Sequence, residues 1–250
     1  MDKLTKPGRL AFAIAVGALG IQQLAYADFV PGPLIAPSWL PWRTFWAFIS
    51  GFVLLAAGVG IVTTKYARRA SSLLSMLLLV IVLLFHLPGP VAIFRDGVAR
   101  TRAFEALAMC GATFFLAGGP TLTLGRLLFA LPMAVFGVQH FMYATFVATL
   151  IPNWLPGHLF WTYLTGVAFI AASLSIVTGQ KARLSASLLG LMFLLWFVLL
   201  HAPRVAEGLR NGNEWNSALV ALALGGGAWL LAGTPATGAS PFHPRVQSVE

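Results

Sequence analysis

The sequence predicts an all-α polytopic membrane protein of eight transmembrane helices, arranged as two parallel four-helix repeats. Three observations carry this expectation: an apolar composition, eight apolar runs of spanning length, and an internal duplication. Hydrophobic residues make up 58% of the 250 and charged residues only 9%, with a mean hydropathy of +0.84, whereas soluble domains carry about 25% charged residues. So much apolar surface requires lipid as its solvent.

The runs cover residues 9–30, 44–63, 71–87, 101–118, 125–147, 158–178, 184–202 and 216–232, each bounded by charge, proline or glycine. About 20 helical residues cross a hydrocarbon core of about 30 Å. The first run follows Lys3, Lys6 and Arg9 and ends in Ala25-Tyr26-Ala27, a pattern shared with cleaved secretory leaders. The duplication argues that it is retained, because its counterpart is the fifth run, deep inside the chain.

That duplication is read from residue types at fixed offsets. Gly8-Arg9-Leu10, Gly20, Gln22, Tyr26, Ala27 and Phe29 recur 117 residues later as Gly125-Arg126-Leu127, Gly137, Gln139, Tyr143, Ala144 and Phe146. After a slip of two residues, Pro37, Trp39, Leu40, Pro41, Phe45, Trp46 and Gly51 recur 115 later as Pro152, Trp154, Leu155, Pro156, Phe160, Trp161 and Gly166. The same offset pairs Ala67-Arg68 with Ala182-Arg183, His86 with His201, Pro88 with Pro203 and Arg95 with Arg210. The chain therefore divides into a first repeat over 1–120, a second over 121–233 and a flexible cytoplasmic tail over 234–250. An even number of helices per unit makes the repeats parallel rather than inverted.

Net charge is +9, but the basic residues stand singly or in short groups between apolar runs. That pattern speaks for topology signals and against nucleic-acid binding. With the N-terminus inside, ten fall on the inner side (Lys3, Lys6, Arg9, Lys65, Arg68, Arg69, Arg126, Lys181, Arg183, Arg245) and six on the outer (Arg43, Arg95, Arg100, Arg102, Arg204, Arg210). Asp28, Asp96, Glu105, Glu207 and Glu214 join the outer side, so both termini are expected in the cytoplasm of a bacterial-type inner membrane. The single cysteine, Cys110, excludes an intrachain disulfide and a thiolate cage. The Gly225-Gly226-Gly227 run and the small residues around Cys110 suit close helix packing.

Polar residues of the apolar runs gather at the outer ends of the odd-numbered spans. Gln22 and Tyr26, and Gln139 and Tyr143, are each four apart, so each pair shares a helix face; His140 joins the second. Such a face turns inward, either as interhelical glue or as ligand contact. His86 and His201 each close a leucine-rich run and precede a proline by two residues. Each histidine can cap its helix, hydrogen-bond or relay protons in a pocket, or hold a metal. The symmetry of the two halves could bring them together. No HExxH, Cys/His or carboxylate-rich spacing supports a metal or haem. The Pro-x-Trp-Leu-Pro segments, with Trp39, Trp46, Trp154 and Trp161, belong either to a membrane belt or to an aromatic lid over the polar site.

Three stretches, Gly137–Phe141 (GVQHF), Pro152–Trp161 (PNWLPGHLFW) and Leu200–Pro203 (LHAP), resemble the DoxX-like family of four-helix membrane proteins. The resemblance is strongest over 125–232, and residues 8–118 look like a diverged second copy, where the family has a single unit. It implies membrane redox systems, including quinone-linked oxidation of sulfur compounds, but supplies no catalytic motif. The expectation is a membrane subunit of a redox system, working with a membrane or periplasmic redox partner. It would bind a quinone or similar apolar molecule in an outer-leaflet pocket walled by Gln139, His140, Tyr143 and His201, with Gln22, Tyr26 and His86 as counterparts. A non-catalytic scaffold or partner subunit, and a carrier for a small apolar solute, are the rival expectations.

Overall fold

The structure is a computed structural model that describes residues 3–87, 95–118 and 121–234. Eight long helices run through them: α1 Thr5–Tyr26, α2 Arg43–Val62, α3 Ala67–Ile81, α4 Gly97–Ala117, α5 Leu122–Met142, α6 His158–Thr178, α7 Ala182–Trp196 and α8 Gly212–Ala232. No strand occurs among the described residues. Pro88 and most of the expected tail, including Arg245, lie outside them.

Seven helices are long and apolar enough to cross a membrane, which marks the chain as a membrane protein. The exception is α4, whose first turns carry Arg100, Arg102 and Glu105. The expected fourth span, 101–118, thus corresponds to a helix that starts four residues earlier, at Gly97, and holds Arg100, Arg102 and Glu105 in its first turns.

Each helix packs on its neighbours in the chain, α8 closes back on α1, and α4 touches α8 across the middle. The result is a ring of eight pinched at its waist. The two waist helices are alanine- and glycine-rich, which lets backbones approach closely. In the span over α8, 78% of residues are buried, against 22% in the span containing α7; the lipid-facing side of α7 is correspondingly leucine-rich.

Glycines set the closest crossings, and they do so in pairs. A Cβ on Gly226 would lie 2.6 Å from Phe12 N, and one on Gly111 would lie 2.6 Å from Phe129 N. The first contact joins α8 to α1 and the second joins α4 to α5. Gly20 meets the α2 backbone at Gly51, and Gly137 meets the α6 backbone at Gly166. The glycine run of α8 is therefore a packing device, as its composition suggested. Cys110 is buried beside Ser75 on α3 and remains a free thiol.

Connections at one end of the ring are short, such as residues 63–66 and 179–181, while those at the other end are long. At the long-loop end α3 and α7 each widen into a π-turn, Val82–His86 and Phe197–His201, closed by the Leu87 and Ala202 N–H groups on the Val82 and Phe197 carbonyls. An extra residue in a turn re-phases the side chains after it by about 100°. Each turn ends on a histidine, 115 residues apart. Asp96 and Asn211 then cap α4 and α8 by accepting from the N–H groups of Val98 and Asn213.

Candidate functional site

A cavity of about 1090 Å³ opens at the long-loop end of the second half, walled by α4, α5, α6, α7 and α8, with Pro31 and Gly32 of the connection after α1 at its edge. Gln139, His140, Tyr143 and His201 all line it, as do Trp154 and Trp161. Their first-half counterparts Gln22, Tyr26, His86, Trp39 and Trp46 do not. The expected site residues therefore divide between the two halves instead of forming one symmetric pocket. His86 and His201 are not brought together, because α3 and α7 lie on opposite sides of the α4–α8 waist.

The Gln and Tyr side chains tie the halves to each other. Gln22 Nε2 donates to Gly212 O at 2.6 Å, and Gln139 Nε2 donates to Gly97 O at 3.0 Å. Tyr26 Oη donates to Arg210 O at 2.9 Å, while Arg100 donates to Tyr143 Oη at 2.8 Å. Each ring also packs where a Cβ on Gly212 or Gly97 would stand, 3.0 Å away. In both cases the first helix of one half docks on the start of the other half's fourth helix. The glue reading thus accounts for the bonds of both pairs, and Gln139 and Tyr143 present only their remaining surface to the cavity.

The two histidines meet different surroundings. His86 is buried, with Nε2 3.0 Å from Pro33 O; a carbonyl only accepts, so Nε2 carries the hydrogen. His201 is half-buried, and its Nδ1, shut away from water and from the cavity, has no hydrogen-bond partner among the described residues. A buried polar nitrogen without a partner is costly, on the order of 1–3 kcal/mol.

The connection after α1 explains why only one half is open. Pro31 and Pro33 cannot donate helical hydrogen bonds, so the chain leaves α1 and folds inward, burying Gly32, Pro33, Leu34 and Ala36. Arg43 pins it there: Nε meets Asp28 Oδ1 at 2.6 Å, and Nη1 donates to Ala36 O and Pro37 O at 2.6 and 2.9 Å. In the second half these positions hold Thr145 and His158, and no clamp forms. Ala144–Ala148, free of proline and glycine, stays helical. Phe146 and Val147 then form the cavity's rim instead of filling it.

An aromatic cluster backs the open site. Phe169 lies 5.9 Å from Phe136, 5.6 Å from Phe193 and 5.7 Å from Trp196, and His140 stacks on Trp196 at 6.1 Å with 19° between planes. His140 Nδ1 donates to Phe136 O at 2.7 Å, which leaves Nε2 of the neutral ring as an acceptor. At the corresponding offsets the first half has Leu19, Leu54, Leu78, Ile81 and Gln23. Gln23 is occupied in accepting from Ser50 Oγ at 2.6 Å.

Glu105 and Arg102 of α4 also line the cavity. The sequence placed Glu105 only among outer charges; its helical setting turns it inward as a half-buried carboxyl. On the far side Leu164, Leu188, Leu191 and Leu195 line the cavity and are also exposed on the outside of the bundle. The cavity is therefore a cleft along the α6–α7 seam. No group of three or more potential metal ligands occurs among the described residues.

A family model described as a domain of unknown function (DUF8561) matches residues 129–223. That stretch contains α6 and α7 whole and most of the cavity wall. No curated protein and no solved structure matches the chain.

Proposed function

We propose that the chain is a DoxX-like inner-membrane protein of eight transmembrane helices in two parallel four-helix repeats, both termini cytoplasmic. Its second half binds a quinone or similar apolar molecule near the outer leaflet, and it serves as the membrane subunit of a redox system. One observation carries the binding reading: the open, aromatic-backed cavity is lined by His201, where in the first half the matching His86 is met by the chain's own Pro33 carbonyl. Quinone chemistry needs hydrogen-bonding groups at the carbonyl oxygens and a route for protons. His201, His140, Tyr143 and Glu105 are the groups of those types at this cavity. The paired glycine crossings, the exchanged Gln contacts and the matched π-turns support the repeat, and the positive-inside count supports the orientation.

The test is extraction and mass analysis of small molecules that co-purify in mild detergent, on wild type and on Ala168→Phe, which sets a ring into the cavity beside Phe169. A stoichiometric quinone-class molecule lost in the variant is the expected result. A folded protein free of any such molecule in both would contradict it. The exposed leucine seam favours one second reading, a carrier for a small apolar solute. Solute uptake into vesicles without an electron acceptor would favour that reading over the redox one.

A further inference from the structure

We infer that the second-half cavity holds its ligand by a ring carbonyl oxygen on His201, the contact that Pro33 O makes with His86 in the first half. The inference rests on the apolar-ligand reading of this cavity and names the chemical class. The two histidines close matching π-turns 115 residues apart, on helices that pack alike on their neighbours. In the first half the histidine donates to a carbonyl whose flanking groups are apolar: the Pro33 ring, Leu34 and Ala36, all buried. The chain itself thus supplies an internal example of what this histidine position recognises. In the second half the histidine remains while the chain segment that satisfies it is withdrawn to the rim. His201 lines the cavity, the ring nitrogen that matches His86 Nε2 is its Nε2, and a carbonyl, an acceptor only, is the group that an N–H there takes up in a largely apolar cleft.

The walls add the shape. Four aliphatic positions of the first half, Leu19, Leu54, Leu78 and Ile81, become Phe136, Phe169, Phe193 and Trp196, and aromatic faces and edges favour a flat ring among them. The cavity, about 1090 Å³, exceeds what one ring system fills, and it reaches the lipid-facing seam of Leu188, Leu191 and Leu195. A flat cyclic carbonyl compound with an alkyl chain lying along that seam fits both features.

The experiment titrates the purified protein in mild detergent with two probes of equal shape, an alkyl para-naphthoquinone and the alkylnaphthalene with the same chain. Wild type is expected to prefer the quinone by on the order of tenfold, the factor one hydrogen bond supports. His201→Phe is expected to abolish that preference while keeping naphthalene affinity, and His201→Gln, which retains a donor, to restore part of it. Equal binding of both probes by wild type, or a preference that survives in His201→Phe, overturns the carbonyl assignment and leaves the apolar cavity standing. Failure of wild type to bind either probe overturns both. A second measurement needs no variant: the infrared stretch of an isotope-labelled quinone carbonyl is expected to fall in frequency on binding, and an unshifted stretch overturns the proposal.

Discussion

The two halves share a framework and differ in what stands at its open end. In both, glycine crossings bring backbones together and a π-turn delivers a histidine. In both, a glutamine bonds the glycine carbonyl at the start of the opposite half's fourth helix. In the first half, two extra residues and the Pro31-Gly32-Pro33 sequence send the connection inward, where Arg43 fastens it and His86 binds it. In the second half the connection begins with the short helix Ala144–Ala148, and Phe146 and Val147 line the cavity that remains. That the second half keeps the histidine without the carbonyl that meets it in the first is the difference on which the proposed binding rests.

The largest effects are expected where the halves agree. Gly226→Leu and Gly111→Leu each force a Cβ to within 2.6 Å of a backbone nitrogen, and neither helix can yield without opening the waist. Each should cost about 3 kcal/mol or more, at the top of the range for overpacking, read as thermal unfolding in detergent. One of the pair being tolerated would break the claim of a common frame.

Arg43→Ala removes the clamp on the first half's connection. A loss of about 1–3 kcal/mol is expected, the range for hydrogen bonds to a charged donor that is partly exposed. Backbone hydrogen exchange over 31–37 should rise with it. His158→Ala, at the matching position, should leave its own loop unchanged.

The histidines should respond in opposite senses. His86→Ala strands a buried carbonyl and is expected to destabilise by about 1–3 kcal/mol, whereas His201→Ala breaks no hydrogen bond among the described residues and should not destabilise. Ligand retention should show the reverse order. Equal loss of stability at both would mean that His201 is structural glue.

The smallest effects belong to the exchanged glutamines. Gln22→Ala and Gln139→Ala should each cost about 0.6–1.7 kcal/mol, the range for interhelical hydrogen bonds in membranes. Gln139, which also bonds Thr101 Oγ1 at 3.0 Å, should show the larger loss in a denaturation experiment in detergent micelles.

Much of this was legible in the sequence, because it resides in what the repeats share. The helix positions, the Gln/Tyr faces, the glycine run and the four second-half cavity residues follow from period and offset. The asymmetry lies in what the repeats do not share, and matching alone passes over it. Asp28 and Arg43 against Thr145 and His158, and four aliphatic residues against Phe136, Phe169, Phe193 and Trp196, were present as differences. Their meaning depends on a loop that must fold inward before Arg43 can reach Ala36 O. Nor could spacing alone decide which helix the Gln/Tyr face meets, since interhelical contact and ligand contact use the same four-residue interval. Glu105 was obscured for a different reason: it stands near the charged start of its apolar run, where it reads as a solvated outer charge, and only the packing of α4 turns it to the cavity.

The central claim, that one half is open to a ligand and the other is filled by its own chain, is tested most directly by photo-crosslinking. A photoreactive alkyl naphthoquinone would be irradiated with the protein in bilayers and the labelled peptides mapped by mass spectrometry. The account predicts labelling at the cavity's lining residues, centred on 136–204, competed by unlabelled naphthoquinone, and none above background over 39–87. Equal labelling of the two halves, or labelling centred on His86, would contradict it.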